Sequence, residues 1–162
     1  MSLSVKFAAP ATLSAVPLVY GLRSAKTLTA EVALLSHDEI LDALREGRVD
    51  VALLSSDVAR AAEGVKIVTD FCVAPAEKGG SLSLADEWGV APDVPVYGVL
   101  IAREDTPLEV LDEIEKALTC GVERIYEALL SQAECPKIED YTYLTTTVDY
   151  LFDAKKHTAL EA

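Results

Sequence analysis

The stretch from Ala74 to Trp88, APAEKGGSLSLADEW, decides how this chain is read. It lies between two apolar runs, Val65 to Ala74 (VKIVTDFCVA) and Val94 to Arg103 (VPVYGVLIAR), each with the composition of a buried strand. Pro75 stops the first run. Gly79, Gly80 and Ser81 then suit a tight reversal, because glycine reaches positive φ without steric cost. SLADEW after them reads as a short helical turn leading into the second run. The stretch is either an ordinary surface loop or a junction joining two strands directly.

Upstream, strands and helices alternate. Val5 to Ala9 is a first strand closed by Pro10, and a helix is expected from Leu13 to Leu22, with Ser14 as candidate N-cap and Pro17 in its first turn. Thr29 to Leu35 reads as strand two. Ser36 and Glu39 then form a capping box for a helix that buries Ile40, Leu41 and Leu44 and ends at Gly47. Val51 to Leu54 is strand three, and Ser55, Ser56 and Asp57 open a short helix. From Pro107 onward the chain reads as wholly helical. Asp105 or Thr106 caps the first of these helices, Leu108, Leu111, Ile114 and Leu118 recur at helical spacing, and Cys120-Gly121 is expected to break it. A further helix covers KIEDYTYLTTTVDYLF, and a terminal segment runs from Asp153 to Ala162.

Three strand–helix alternations in the first 75 residues predict an α/β architecture, with a parallel sheet, right-handed crossovers and helices on both faces. Ligands of such sheets gather outside the carboxyl ends of the strands. The loops to inspect are therefore PATLSA (Pro10 to Ala15) and SSDVAR (Ser55 to Arg60). Thr12 and Ser14 would present hydroxyls beside free backbone N–H groups, a geometry suited to a carboxylate, with capping as the alternative role for Ser14. Ser55 and Ser56 are candidate donors to the same ligand, or else caps of the short helix. Trp88 and Tyr97 either line a pocket or pack between helix and sheet.

Charge and composition exclude several classes. Lys plus Arg number 14 against 27 Asp plus Glu, a net charge of −13, so nucleic acid and anionic membrane are not expected partners. No apolar run approaches the roughly 18 residues of a membrane span, and the start of the chain lacks the basic, continuously apolar pattern of a secretory signal. Cys72, Cys120 and Cys135 stand at unrelated spacings beside only two histidines, His37 and His157, both expected on solvated helix faces. That pattern predicts a cytoplasmic protein with no metal site and no cofactor. No serine-hydrolase elbow and no pair of carboxylates placed across a cleft is legible, so the catalytic residues stay unassigned.

In order along the chain, SAVPLVYGL, EGRVDVALLSSDVAR, VKIVTDFCVAP, LADEWGVAPDVPVYGVLIAR and YTYLTTTVDYLF resemble the cytoplasmic chorismate dehydratase family of the futalosine route to menaquinone, which is built like a two-lobed solute-binding protein. The resemblance implies a single lobe of a type II periplasmic-binding-protein-like fold, with about five mostly parallel strands and the run Val94 to Arg103 antiparallel. It implies one α/β domain: residues 1–75 as the βα half, 76–93 as a short connection replacing a second lobe, and 94–162 as the return strand and C-terminal helices. It also implies a carbon–oxygen lyase acting on chorismate. The family's first loop reads S-Y-L-N-x-x-P-L, and its serine and asparagine contact the substrate. Here the serine is replaced by Ala11 and the asparagine by Ser14, which removes a fixed amide anchor and predicts weak or lost activity toward a small carboxylate. The competing expectation is a noncatalytic small-anion-binding module, or one that forms a homodimer through apolar lobe-facing surface near Val99 and Ile101.

Overall fold

The structure, a computed structural model, describes residues 3–26, 28–59, 65–76, 80–94, 96–132 and 137–151. Gly79, Cys135, His157 and the segment from Asp153 to Ala162 lie outside the described residues.

Six strands form one sheet: β1 (Leu3–Ala9), β2 (Leu28–Leu34), β3 (Val51–Ser55), β4 (Val65–Pro75), β5 (Gly98–Arg103) and β6 (Val148–Leu151). Their order is β2-β1-β3-β5-β4-β6. β1 pairs in parallel with β2 and β3, whereas β5 runs antiparallel to both its neighbours, β3 and β4. The expected mixed sheet with an antiparallel return strand is therefore present. The return strand is shorter than the apolar run predicts, because β5 starts only at Gly98, and Val94, Val96 and Tyr97 lie before it.

The sixth strand was not expected, since Val148 to Leu151 reads as the end of a helix. Helix α7 (Ile138–Thr146) instead stops in a run of three threonines, whose branched Cβ disfavours helix and favours strand. The chain then turns at Thr147 and lays β6 antiparallel on Phe71, Ala74 and Pro75 of β4.

Helices cover both faces. On one, α1 (Val16–Arg23), α4 (Leu82–Trp88) and α5 (Leu108–Glu123) bury Leu18, Leu22, Trp88, Ile114 and Leu118 against Phe7, Leu53 and Leu100. On the other, α2 (His37–Arg45) packs Ile40, Ala43 and Leu44 onto Ala8, Ala52, Leu54, Val99 and Ile101. Successive residues of β3 and β5 thus serve opposite faces, which is why both strands read as continuous apolar runs. Val99 and Ile101 are only 1% and 2% exposed. The apolar docking surface expected there is absent, because β5 is an internal strand and both side chains are buried in one core cluster with Ile40 and Leu44.

α2 begins with the predicted reciprocal capping box of Ser36 and Glu39, and Gly47 just past its end has φ 75°. α5 is continuous where a break at Cys120-Gly121 was expected. Gly121 is retained because α1 crosses there: a Cβ on Gly121 would collide with the Pro17 carbonyl, and one on Gly21 with the Ala117 carbonyl. α5 also has no side-chain cap. Pro107 occupies the N-cap position, and Thr106 is buried with no partner for its hydroxyl among the described residues. After α6 (Ile125–Leu130), α7 leads to β6.

Gly80 has φ 87°, and a Cβ there would run into the Pro92 carbonyl. Ser81 N–H donates to the Tyr97 hydroxyl (3.1 Å), which donates to the Pro92 carbonyl (2.6 Å). Glycine at position 80 is thus required both by its backbone conformation and by this close approach.

Candidate functional site

The carboxyl ends of β1 and β3, the start of β5 and helix α4 meet at one end of the sheet. Ser81 caps α4 by accepting from Leu84 N–H, and Gly89 ends it with φ 64°. Between those signals the helix turns Glu87 and Trp88 toward the loop after β1. The indole lies flat on Gly98, where any Cβ would overlap the ring, and Gly98 pairs with Ser55 at the end of β3.

Ser14 stands at the centre of the resulting network. It is fully buried, its hydroxyl accepts from Trp88 Nε1 (2.8 Å), and its carbonyl accepts from the Tyr150 hydroxyl (2.7 Å). It is no N-cap. A 3-10 turn over Leu13–Ala15 precedes α1, and Ala15 takes the cap position with no side-chain cap. Thr12 is half-buried, with its hydroxyl 3.4 Å from that of Ser14.

One strand away, Ser55 and Ser56 are also buried. The Ser56 hydroxyl donates to the Val96 carbonyl (2.8 Å), which ties α3 (Ser56–Ala59) to the loop before β5. The Ser55 hydroxyl has no partner among the described residues, a feature that costs about 1–3 kcal/mol when a polar group is buried. The fold thus brings Thr12 and Ser14 into contact and places Ser55 and Ser56 together at the end of β3. The hydroxyls of Ser14 and Ser56 are engaged with the protein itself.

Two residues of this end of the sheet were not anticipated. His37, expected on a solvated helix face, is half-buried with its ring centroid 5.4 Å from that of Trp88. Its Nδ1 accepts from Ser55 N–H (3.3 Å). Burial pushes the imidazole below its ordinary pKa, against the opposing effects of a hydrogen bond to the Glu87 backbone and the charge of Asp38. The folded state therefore favours neutral His37. The unfolded chain begins to take up that proton first as pH falls through about 6.5, and stability declines until the lower folded pKa is reached. His37→Gln is expected to make the loss of thermal stability between about pH 7.5 and about pH 5 shallower than in wild type. Melting curves across that range test it, and equal slopes would refute it.

Glu87 is the second. Its Oε1 accepts from Leu13 N–H (3.0 Å) and its Oε2 from the Tyr143 hydroxyl (2.8 Å). Burial, followed by the bond to Glu87, raises the Tyr143 pKa far above the phenol range, and burial does the same for Tyr150. Both hydroxyls stay protonated donors. Nothing in the spacing marks Glu87, which reads as one more acid on a short polar helix. The signal was its position next to the chain's single tryptophan.

A cavity of about 180 Å³ opens on the outer side of the same loop, lined by Thr12, Leu13, Val16, Val19, Arg23 and Gln132. Arg23 takes part in none of the ion pairs found among the described residues. Among those residues no three His, Cys, Asp or Glu side chains converge as a metal site would require. No described helix is long and apolar enough to cross a membrane.

No protein-family model matches the sequence, and no curated protein matches it at a significant level. Solved structures do. Protein AF1704 from Archaeoglobus fulgidus superposes with a TM-score of 0.68 at 10% identity, covering 98% of this chain and 94% of that one. The Candida albicans CA3427 gene product, described as having the generic periplasmic binding protein fold, gives 0.63 at 12% identity over 98% and 89%. The alkanesulfonate-binding protein SsuA from Xanthomonas axonopodis pv. citri, bound to MOPS, gives 0.63 at 9% identity over 98% and 90%. The six-stranded sheet and its helices therefore have the fold of a single lobe of a periplasmic-binding-protein-like protein.

Proposed function

We propose that this chain is a one-lobe relative of the menaquinone chorismate dehydratases that binds a small carboxylate and dehydrates chorismate weakly or not at all. In this reading the whole chain is one domain, and residues 76–93 stand where those enzymes insert a second lobe. The binding half rests on one observation: Thr12 and Arg23 line the same cavity of about 180 Å³ beside the carboxyl end of β1. A guanidinium offers a carboxylate two parallel donors, and a hydroxyl fixes its orientation. Drug-sized pockets enclose roughly 300–1,000 Å³, so the ligand is a compact acid. An alkanesulfonate-binding protein on this fold supports an anionic ligand.

The reduced catalysis follows from the loop itself. Ala11 offers no hydrogen bond, and the Ser14 hydroxyl is committed to Trp88. Ser55 keeps a hydroxyl without a partner among the described residues and is the remaining candidate for contact with substrate at the end of β3. In this reading the protein works in the cytoplasm, as do the enzymes it resembles, and three cysteines at unrelated spacings support a reducing compartment.

Thermal unfolding with benzoate, propanesulfonate and chorismate tests the binding. A ligand at about 100 times its dissociation constant is expected to add about 2.7 kcal/mol of stability, and Arg23→Ala is expected to abolish the gain. If none of the three stabilises wild type, the binding reading fails. Incubation with chorismate, followed by mass spectrometry for 3-enolpyruvyl-benzoate, tests the chemistry. The expected yield is trace or nothing, and sustained turnover would make the chain a competent lyase instead.

A further inference from the structure

The carboxylate of Glu87 is held from two sides by groups far apart in the chain. Leu13 N–H, directly after β1, donates to one oxygen at 3.0 Å, and the Tyr143 hydroxyl on α7 donates to the other at 2.8 Å. One donor per oxygen, converging from separate elements, is how a protein receives a carboxylate. Hydrogen bonds to such a charged acceptor are roughly twice as strong as neutral ones. Burial and the neighbouring carboxylate keep Tyr143 protonated far above the phenol range, so the donor persists at any physiological pH. Leu13, Glu87 and Tyr143 are each only half-buried, which leaves this arrangement reachable from solvent.

We infer that the Leu13 amide and the Tyr143 hydroxyl form a carboxylate-binding cradle that the chain fills with its own Glu87, and that a free monocarboxylate occupies it once the Glu87 side chain is removed. The inference does not rest on the cavity beside Arg23, because neither donor involves that side chain. In wild type the tethered carboxylate competes at an effective concentration of about millimolar or higher, so free acids are excluded. Glu87 then decides whether this end of the sheet accepts a second anion.

Acetate and formate are the probes. Glu87→Ala is expected to melt below wild type and to regain stability saturably with acetate or formate, whereas sodium chloride at equal ionic strength restores nothing. Adding Tyr143→Phe is expected to weaken the rescue about tenfold or more, by loss of one charge-assisted bond. Rescue that survives Arg23→Ala separates the cradle from the anion cavity, so failure of either reading is recognised by itself. Glu87→Ser also empties the cradle and keeps a small polar side chain on the helix. Should Glu87→Ala not fold, the backbone amide resonance of Leu13 in Glu87→Ser is expected to shift with acetate at concentrations about tenfold lower than in wild type. Equal rescue by chloride, or acetate affinity no higher in the Glu87 variants than in wild type, overturns the inference.

Discussion

Trp88→Ala is expected to destabilise the protein by about 3–5 kcal/mol, a large share of the roughly 5–15 kcal/mol that holds a typical domain folded. The indole is 0% exposed and stacks on Gly98, so its loss empties the space above two adjoining strands, β3 and β5. The cavity cannot collapse readily, because strand pairing fixes Gly98 opposite Ser55 and the turn at Ser81 anchors the start of α4. The Ser14 hydroxyl would also lose its donor inside the core. Trp88→Phe separates the two contributions. It keeps most of the ring packing and removes only the Nε1–H bond, for an expected cost nearer to 1–3 kcal/mol. Urea unfolding followed by far-ultraviolet circular dichroism is the appropriate measurement, since the substitution removes the chain's one tryptophan fluorophore. A loss below about 1 kcal/mol for Trp88→Ala would mean that α4 is not held to the sheet as described.

Gly121→Ala is the second large effect, and its sign runs against helix propensity. In an exposed helix interior, alanine in place of glycine stabilises by about 1 kcal/mol. At this crossing the new methyl group would meet the Pro17 backbone carbonyl, and Gly21 would give no room because its own Cα lies against the same spot. α1 and α5 must then separate, which disturbs the packing of Leu18 and Leu22 against Ile114 and Leu118. Overpacking of this kind costs about 1–3 kcal/mol, and the obstacle here is backbone, which cannot swing aside. The net expectation is a destabilisation of about 2 kcal/mol, read as a lower urea midpoint at unchanged slope. A raised midpoint would show that the helices do not cross at the two glycines.

The fold was largely legible because its signals are local. Alternation of apolar runs with capped amphipathic helices gave β1 to β4 and α2, and the capping box at Ser36 matched residue for residue. β6 escaped because four residues after a helix carry too little pattern, and their strand character comes from pairing with β4. Gly121 was read as a helix stop because sequence cannot reveal that another helix passes within van der Waals distance. At the candidate site the positions of Thr12, Ser14, Ser55 and Ser56 at strand ends were predictable, since topology alone puts them there. Their hydrogen bonds were not. The partner of Ser14 is Trp88, 74 residues away, and Glu87 reaches Leu13 across the same separation. His37 was misjudged for a related reason: its helix position suggested solvent, and only the tertiary approach of the indole half-covers it.

The insertion of β5 between β3 and β4 bears on how the chain is made. A ribosome releases Val51–Ser55 and Val65–Pro75 well before Gly98–Arg103, and neither earlier strand is the other's final neighbour. At about 5–20 residues per second, both edges stay open for a second or more while the intervening segment is synthesised. During that interval a nascent polypeptide displays two apolar, hydrogen-bond-hungry borders, the kind of surface that recruits chaperones or pairs with a neighbouring polysome. Co-translational yield should accordingly depend more on synthesis rate and temperature than the finished molecule's stability would suggest.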